Sequence, residues 1–276
     1  MIEKIFVFIF GSIVGSFLNV CIHRMPLEES VVRPRSHCPN CKKLIPWYDN
    51  IPFLSYILLR GQCRFCNEKI SPRYFVVEFL TALFFLIFYL RFGFSFDLIF
   101  YSVFVCGLII ATFVDIPHRI IPDQISVGGI VVGFLFSVIK SFSLKPVAWS
   151  LRPETLIRQP ILDSFLGIII GGSIIWLTGF LFDLIYFKLL KNPPIQGETE
   201  SMGGGDVKLL AMIGAFLGYK SVLITFFIAP FFGATVGIIN MLIKKDHLIP
   251  YGPFLSLAAV ISIFWADKIL AIFLIR

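Results

Sequence analysis

The sequence predicts an all-α membrane protein: a polytopic bundle of about eight transmembrane helices with a small, zinc-ribbon-like loop domain that contains four cysteines. Hydrophobic residues make up 57% of the 276 residues and charged residues only 15%, whereas soluble domains carry about 25% charged residues. Apolar runs of spanning length recur along the chain, and the one long polar loop contains two CxxC pairs. A soluble globular fold is therefore excluded.

Eight apolar runs approach or reach the roughly 17–25 residues that a spanning helix needs. No small-residue cleavage site follows the first run, so we interpret it as a retained helix and not as a secretory signal. Gly129 and Gly133, and likewise Gly167 and Gly171, are spaced as in closely packed membrane helices. The runs are 4–22, 74–92, 96–114, 124–140, 161–187, 207–219 (the shortest), 221–242 and 254–275.

The basic residues that give the net charge of +7 cluster in one loop. We therefore read the charge as a sign of how the chain is oriented in the membrane and not as a nucleic-acid binding surface. Nine of the 24 Lys and Arg residues lie in 24–73, which places that loop in the cytoplasm and the N-terminus outside. The 141–160 segment then lies outside, although it contains three basic residues that oppose this assignment. Membrane lipid is the expected surrounding. The other segments that alternation places in the cytoplasm are 115–123, 188–206 and 243–253.

The four loop cysteines, Cys38, Cys41, Cys63 and Cys66, form two CxxC pairs separated by 21 residues. Two tight turns can direct four thiolates at one Zn²⁺ ion in a tetrahedral site. The alternatives are two disulfides, which a reducing cytoplasm disfavours, and a redox CxxC, which would need only one pair. Four cysteines leave no open position for catalytic water, so a metal here is predicted to be structural.

The stretch TFVDIPHRIIPDQIS at 112–126 joins the third and fourth apolar runs and contains two aspartates. Asp115 ends a helix, where a carboxylate faces the negative end of the helix dipole and is disfavoured unless it has another use. Asp123 either caps the next helix or takes part in chemistry. Pro117 and Pro122 are expected to break the helix between them.

The stretch GGGDVKLL at 203–210 leads into the sixth apolar run through Asp206. Gly203 and Gly205 permit close approach of another backbone or an extended peptide, and they permit dihedral angles closed to other residues. The alternative is a flexible linker with Asp206 as an ordinary first-turn residue. Lys208 could act on a neighbouring carboxylate or reach lipid headgroups.

The two aspartate segments together indicate a specific chemistry. Asp115 and Asp206 are predicted at the same edge of the membrane on different helices, so packing can bring their carboxyl groups together. Two neighbouring carboxylates cannot both ionise at low cost, so one keeps a proton and acts as an acid while the other activates water. This is the chemistry of an aspartic protease, and no Ser/His/Asp or Cys/His set offers a rival nucleophile.

Five ordered motifs resemble the type IV prepilin leader peptidases, which are membrane aspartic proteases of the GxGD class. The resemblance implies cleavage of a short basic leader, after a glycine, from type IV prepilins and type II secretion pseudopilins on the cytoplasmic side of the bacterial inner membrane. In many members it also implies N-methylation of the new N-terminus with S-adenosylmethionine. The motifs are GSFLNVCIHRMP at 15–26, the four-cysteine loop, SPRYFVVEFLTALFF at 71–85, DIPHRIIPD at 115–123 and ESMGGGDVKLLAMIGAFLG at 200–218.

The resemblance assigns roles to individual residues. It makes Asp115 and Asp206 the catalytic pair, and Pro117 replaces a second aspartate found there in many relatives, which leaves Asp123 as a spare acid. Glu78 either binds the basic leader or pairs with Arg73. The other matching residues are the glycines Gly203 and Gly205, the four zinc cysteines, and Gly15, Asn19 and Arg24 as candidate S-adenosylmethionine residues.

Helix packing for Gly15 and headgroup contact for Arg24 remain open alternatives, and no Rossmann-type glycine fingerprint is present. The predicted organisation is a first transmembrane helix at 1–22, a cytoplasmic zinc-binding loop with the methyltransferase region at 23–73, and a transmembrane peptidase core at 74–276. The alternatives to the bifunctional enzyme are a peptidase without methyltransferase activity, a zinc-loop scaffold and an ion-coupled transporter. A transporter would place its acids near the bilayer midplane, whereas these acids cluster at one face.

Overall fold

The computed structural model describes residues 1–143, 160–190, 202–244 and 249–274. Within these ranges the regular secondary structure is helical, and the β-structure consists of two isolated bridges in the cysteine loop. The prediction of an all-α fold is confirmed. Most of the 141–160 segment lies outside the described residues, so its placement outside the membrane stays a prediction.

Six of the described helices are long and apolar enough to cross a membrane, and a further apolar helix covers Gly252–Ala266. A π-helical turn at Leu184–Leu189 extends the sixth helix. Short 3₁₀ turns at Met25–Leu27 and Trp47–Asn50 lie in the polar loop. The α-helices are α1 (Ile2–Arg24), α2 (Leu54–Leu58), α3 (Arg73–Phe92), α4 (Phe96–His118), α5 (Asp123–Ser143), α6 (Pro160–Asp183), α7 (Gly204–Lys244) and α8 (Gly252–Leu274).

Each of the eight predicted apolar runs lies in a helix, but the runs 207–219 and 221–242 share α7. Gly218 divides α7 because its backbone is not helical (φ 76°, ψ 173°), a conformation that glycine adopts without steric cost. The two runs are therefore separate helical segments joined at one residue.

The end of α4 differs from the prediction that Pro117 breaks the helix. The helix continues through Pro117 to His118 and ends where Arg119 adopts a left-handed conformation (φ 56°). The Arg119 amide donates to the carbonyl oxygen of Asp115 at 2.8 Å. A proline in the last turn removes a single amide donor, which a helix about to end tolerates, so Asp115 lies within the final turn.

The chain divides into two compact units, residues 1–114 and residues 115–276. In the first unit α1 packs against α3, and the Asn19 amide Nδ2 donates to the Tyr74 carbonyl oxygen at 3.0 Å. A Cβ added to Gly15 would lie 2.7 Å from the Cα of Glu78, so the helices touch backbone to backbone. For Gly15, the alternative of close helix packing describes what the structure shows.

In the second unit α7 packs against α5, α6 and α8. The closest approach is between Gly167 of α6 and Gly214 of α7, where a Cβ on either residue would overlap the carbonyl oxygen of the other. A Cβ on Gly171 would lie 2.5 Å from the Leu210 carbonyl oxygen. Small residues therefore set the distance between the two helices, as membrane bundles require.

We expect Gly214→Ala to destabilise the second unit, because the added methyl group would force α6 and α7 apart. Overpacking of this kind costs about 1–3 kcal/mol. Thermal unfolding of the purified protein in detergent measures the loss. Gly128→Ala on α5 is the control, since an added Cβ there meets nothing within 4 Å, and an equal loss of stability in both variants would contradict the packing explanation.

Candidate active site and metal centre

Asp115 occupies the last turn of α4 with only 5% of the residue exposed. Its Oδ2 atom accepts a hydrogen bond from the backbone amide of Gly252, at 2.9 Å. Gly252 is the first residue of α8, where backbone amides have no partner within the helix and the dipole favours negative charge. The N-terminus of α8 thus provides the partner that a carboxylate at the end of α4 lacks in its own helix.

Asp206 lies in the first turn of α7, and its amide donates to the Gly203 carbonyl oxygen at 3.0 Å. Its Oδ1 atom is buried without a hydrogen-bond partner among the described residues. The Asp115 carboxylate is near enough to Asp206 for the charges of the two groups to interact. The structure therefore brings these two predicted residues together.

Ile121 fills the space between the two aspartate segments. A Cβ on Gly205 would lie 3.3 Å from the Ile121 Cβ, and a Cβ on Gly252 would lie 3.3 Å from the Ile121 Cδ1 and 2.8 Å from Asp115 Oδ2. None of Gly203, Gly204 and Gly205 has a left-handed φ angle, so they supply space and not unusual dihedral angles.

Gly252 and Tyr251 belong to the site but escape the sequence reasoning. Burial, and to a lesser extent the negative charge of Asp206, raises the pKa of the Tyr251 phenol to about 12, which indicates that the tyrosine lies near that carboxyl group. The signal available in the sequence is PYGPF at 250–254, a Gly-Pro pair at the start of the last apolar run. That pair indicates a helix start but gives no hint of a partner 137 residues earlier.

Asp123 and Lys208 form an exposed ion pair. Lys208 Nζ lies 2.7 Å from Asp123 Oδ1, and the two side chains are 43% and 64% exposed. Exposed pairs of this kind contribute about 0–1 kcal/mol. Asp123 is the first residue of α5. Its position at a helix terminus and its surface ion pair fit a structural role.

Glu78 lies in the first unit, and in the described residues its carboxylate bonds to the polar loop. The residue is 8% exposed, and its Oε2 atom accepts a hydrogen bond from the backbone amide of Phe53 at 3.1 Å. Arg73 instead lies over the ring of Tyr74, 5.5 Å from its centre. The carboxylate is thus used by the polar loop of its own unit.

Gly15, Asn19 and Arg24 lie on α1 in the first unit. Glu78 backbone fills the space beside Gly15, and the Arg24 guanidinium donates to the carbonyl oxygens of Ser30 (2.9 Å) and Pro34 (2.8 Å). The Asn19 Oδ1 atom is buried and has no hydrogen-bond partner among the described residues.

The four loop cysteines converge in the first unit. Their sulfur atoms all lie within 4.8 Å of one another, and Cys38 Sγ lies 3.8 Å from Cys66 Sγ. Four sulfurs at about 2.3 Å from a tetrahedral Zn²⁺ ion are separated by about 3.8 Å. The described thiols therefore fit a four-cysteine metal site.

Two copies of one turn build this site, a repeat of 25 residues that the sequence reasoning missed. In each copy the backbone amide of the first cysteine donates to the carbonyl oxygen five residues later: Cys38 to Lys43 at 3.0 Å, and Cys63 to Glu68 at 2.8 Å. The residue four positions after each first cysteine, Lys42 or Asn67, has a left-handed φ angle. This shared turn is what aims each CxxC pair at a common point.

Two family models match the chain: the bacterial peptidase A24 N-terminal domain over residues 9–92 and the type IV leader peptidase family over residues 102–238. A Myxococcus xanthus protein named prepilin leader peptidase/N-methyltransferase is 36% identical over 238 residues, which cover 86% of this chain and 63% of that protein. Proteins of the same name from Legionella pneumophila (32% identical over 288 residues) and Aeromonas hydrophila (31% over 290 residues) each match 95% of this chain and 91% of their own length. No solved structure matches the chain significantly. The two family models and these relatives show that the chain belongs to the type IV leader peptidase family.

Proposed function

We propose that Asp115 and Asp206 are the catalytic pair with which this family member removes the leader peptide from type IV prepilins and pseudopilins. The observation that carries the proposal is the convergence of two carboxyl groups, one buried at the end of α4 and the other in the first turn of α7. The names of the relatives, prepilin leader peptidase/N-methyltransferase, supply the substrate class. Asp123 is paired with Lys208 at the surface and has no part in the reaction.

The surroundings of the two carboxyl groups favour different roles. The Gly252 amide and the dipole of α8 stabilise negative charge on Asp115, whereas a buried oxygen of Asp206 has no partner among the described residues. Asp115 is therefore the ionised base that takes a proton from the attacking water, and Asp206 is the acid that gives a proton to the leaving nitrogen. Water oxygen bonds to the scissile carbonyl carbon, the carbon–nitrogen bond breaks, and the proton that Asp115 gained restores Asp206.

The glycines before Asp206 leave room for the substrate backbone. Gly203 and Gly204 are exposed, and a Cβ on Gly204 would meet nothing within 4 Å. As far as the described residues go, an extended peptide can therefore approach Asp206 from this side without meeting a side chain. Gly205 instead contacts Ile121 and sets the distance between the aspartate segments.

The reaction takes place at the cytoplasmic face of the bacterial inner membrane in this proposal. The spanning helices support a multi-pass membrane protein, and the nine basic residues in 24–73 support the cytoplasmic placement of that loop. Counting spans from that loop puts Asp115 and Asp206 on the same side.

Asp115→Asn and Asp206→Asn are each expected to abolish leader removal. An asparagine cannot take or give the proton, and loss of acid–base catalysis costs at least about 10²–10⁴-fold in rate. Cleavage of a purified prepilin by the purified, membrane-inserted variants measures the effect. Asp123→Asn is the matched control and keeps full activity; normal cleavage by either of the first two variants would refute the catalytic pair.

Gly252→Ala is expected to lower the rate of cleavage while the protein stays folded. The added Cβ would lie 2.8 Å from Asp115 Oδ2 and would displace the carboxylate from its amide donor. Loss of one hydrogen bond to a charged group costs about 1.5–3 kcal/mol, or about 10–150-fold in kcat, with KM little changed. Gly172→Ala, whose added Cβ would lie an ordinary 3.8 Å from the Ala211 Cβ, is the control, and equal activity of the two variants would contradict this role for Gly252.

The four-cysteine site is proposed to bind one structural Zn²⁺ ion. The convergent thiols and the two matching turns support a closed site without a position for water. The loop is too small to form a large core of its own, so the metal would supply much of its stability.

Cys41→Ser and Cys66→Ser are expected to reduce the bound zinc, because three thiolates and a hydroxyl group make a weaker set of ligands. Metal analysis of the purified protein should give about one zinc per chain for the parent and clearly less for the variants. Cys106→Ser, on α4, changes a cysteine outside the cluster and should keep the metal. Zinc lost equally from all three variants, or absent from the parent, would overturn this assignment.

We also propose N-methylation of the new N-terminus with S-adenosylmethionine, on the evidence of the relatives' names. The contacts of Gly15 and Arg24 do not form a cradle for this cofactor, because helix packing and two loop carbonyls already occupy them. Asn19 Oδ1 is the one atom of the three residues that is free to accept a hydrogen bond.

A further inference from the structure

The polar loop of the first unit contains an apolar segment, IPFLSYILL at 51–59, with no charged residue between Asp49 and Arg60. The segment is far shorter than a spanning helix and includes the short helix α2. Leu54, Ile57 and Leu58 are 50%, 63% and 71% exposed. If this loop were surrounded by water, three large apolar side chains would be exposed side by side, which is unusual for a polar loop.

The segment contacts α1 far from the end at which the loop begins. The Phe53 ring stacks on Phe8 with 5.8 Å between ring centres, and Asn50–Phe53 line a groove together with Ile9 and Ser12. Ser12 precedes Arg24, the last residue of α1, by twelve residues, which is about 18 Å along the helix axis. The hydrocarbon core of a bilayer is about 30 Å thick, so these contacts lie well within the span.

The same segment is attached to α3 inside its apolar portion. The Phe53 amide donates to Glu78 Oε2 at 3.1 Å, and the Phe53 ring meets the Phe75 ring edge-on at 5.4 Å. Glu78 is 8% exposed, so this carboxylate gives a backbone amide a partner where water is scarce. This hydrogen bond by itself accounts for the presence of a buried carboxylate on a spanning helix.

The backbone at Phe53 turns sharply and under strain. Phe53 has φ 62° and ψ −52°, and the Leu54 amide donates to the Pro52 carbonyl oxygen at 2.6 Å, the pattern of a γ-turn. A bulky residue holds this conformation only when its surroundings impose it. Here the hydrogen bond to Glu78 and the contacts with Phe8 and Phe75 impose this conformation. The chain therefore reverses direction where it packs against α1 and α3.

Beyond the turn the backbone satisfies its own hydrogen bonds, as burial in lipid requires. The Ser55, Ile57 and Leu59 amides donate to the carbonyl oxygens of Ile51, Phe53 and Ser55 at 2.9–3.1 Å. The Ser55 hydroxyl also donates to the Ile51 carbonyl oxygen at 2.8 Å. None of these groups depends on water.

We propose that Asn50–Leu59 is a re-entrant segment, which enters the hydrocarbon region beside α1 and α3 and returns to the side from which it came. Its exposed side chains Leu54, Ile57 and Leu58 contact lipid acyl chains. Asp49 lies at its entrance and Arg60 at its exit. This inference is independent of the catalytic proposal and concerns the first unit alone.

The segment holds the four-cysteine site at a fixed height on the membrane. The Arg64 side chain binds Asp49 through both carboxylate oxygens, at 2.6 and 2.7 Å, and so connects the second cysteine turn to the entrance of the segment. The Gly61 amide donates to the Tyr56 carbonyl oxygen at 2.8 Å, which joins the same turn to α2. The metal site is thereby anchored to lipid-embedded structure at both ends of the segment.

Quenching by brominated lipid tests the proposal in the full-length protein. A fluorescent amino acid is placed at Ile57 in one protein and at the exposed Lys69 in another, and each is reconstituted into vesicles whose phospholipid carries bromine near the middle of the acyl chain. The label at Ile57 should be quenched severalfold more strongly than the label at Lys69. Equal quenching would overturn the proposal, and so would quenching at Ile57 by headgroup-brominated lipid alone, which would place the segment at the surface.

Two variants of Glu78 test how the segment is held. Glu78→Gln keeps an oxygen acceptor for the Phe53 amide and should preserve the quenching at Ile57, whereas Glu78→Leu should reduce it severalfold. Bound zinc and chromatographic behaviour are measured for both, so that a misfolded variant is recognised. Undiminished quenching in a folded Glu78→Leu protein would show that Glu78 does not hold the segment.

Discussion

The candidate active site depends on the hydrogen bond from the Gly252 amide to the Asp115 carboxylate. A buried carboxylate at the C-terminal end of a helix is opposed both by desolvation and by the dipole of its own helix. The start of α8 supplies an amide and a favourable dipole at that point, 2.9 Å from Oδ2. The Asp206 carboxyl group lies close enough to Asp115 for their charges to interact, and two neighbouring carboxyl groups oppose the ionisation of both.

Glycines make this arrangement possible by omitting side chains at points of contact. At Gly252 a side chain would collide with the Asp115 carboxylate, and at Gly205 it would press on Ile121. Gly167 and Gly214 let α6 and α7 meet backbone to backbone. This contact helps to set the position of α7, the helix that carries Asp206. Catalytic groups must be held within about 0.5 Å of the reactive geometry, and this requires that the helices that carry them pack rigidly.

The parts of the site that sequence predicts are those encoded by local pattern. Apolar runs gave the helices, the CxxC spacing gave the thiol cluster, and Asp115 and Asp206 stood out as charges at the ends of apolar runs. Gly252 could not be found in this way, since its contact with Asp115 spans 137 residues and uses only its backbone. The pairing of Lys208 with Asp123 and of Glu78 with Phe53 likewise depends on tertiary contacts over 85 and 25 residues.

An experimental distance between the carboxyl groups of Asp115 and Asp206, from a structure of the full chain in lipid, tests the central claim most directly. The account predicts that their nearest oxygens lie within the roughly 4–6 Å at which neighbouring charges strongly affect each other, with Asp115 still bonded to the Gly252 amide. Carboxyl groups more than about 10 Å apart, beyond one Debye length in salt, could not share a proton or a water molecule and would contradict it.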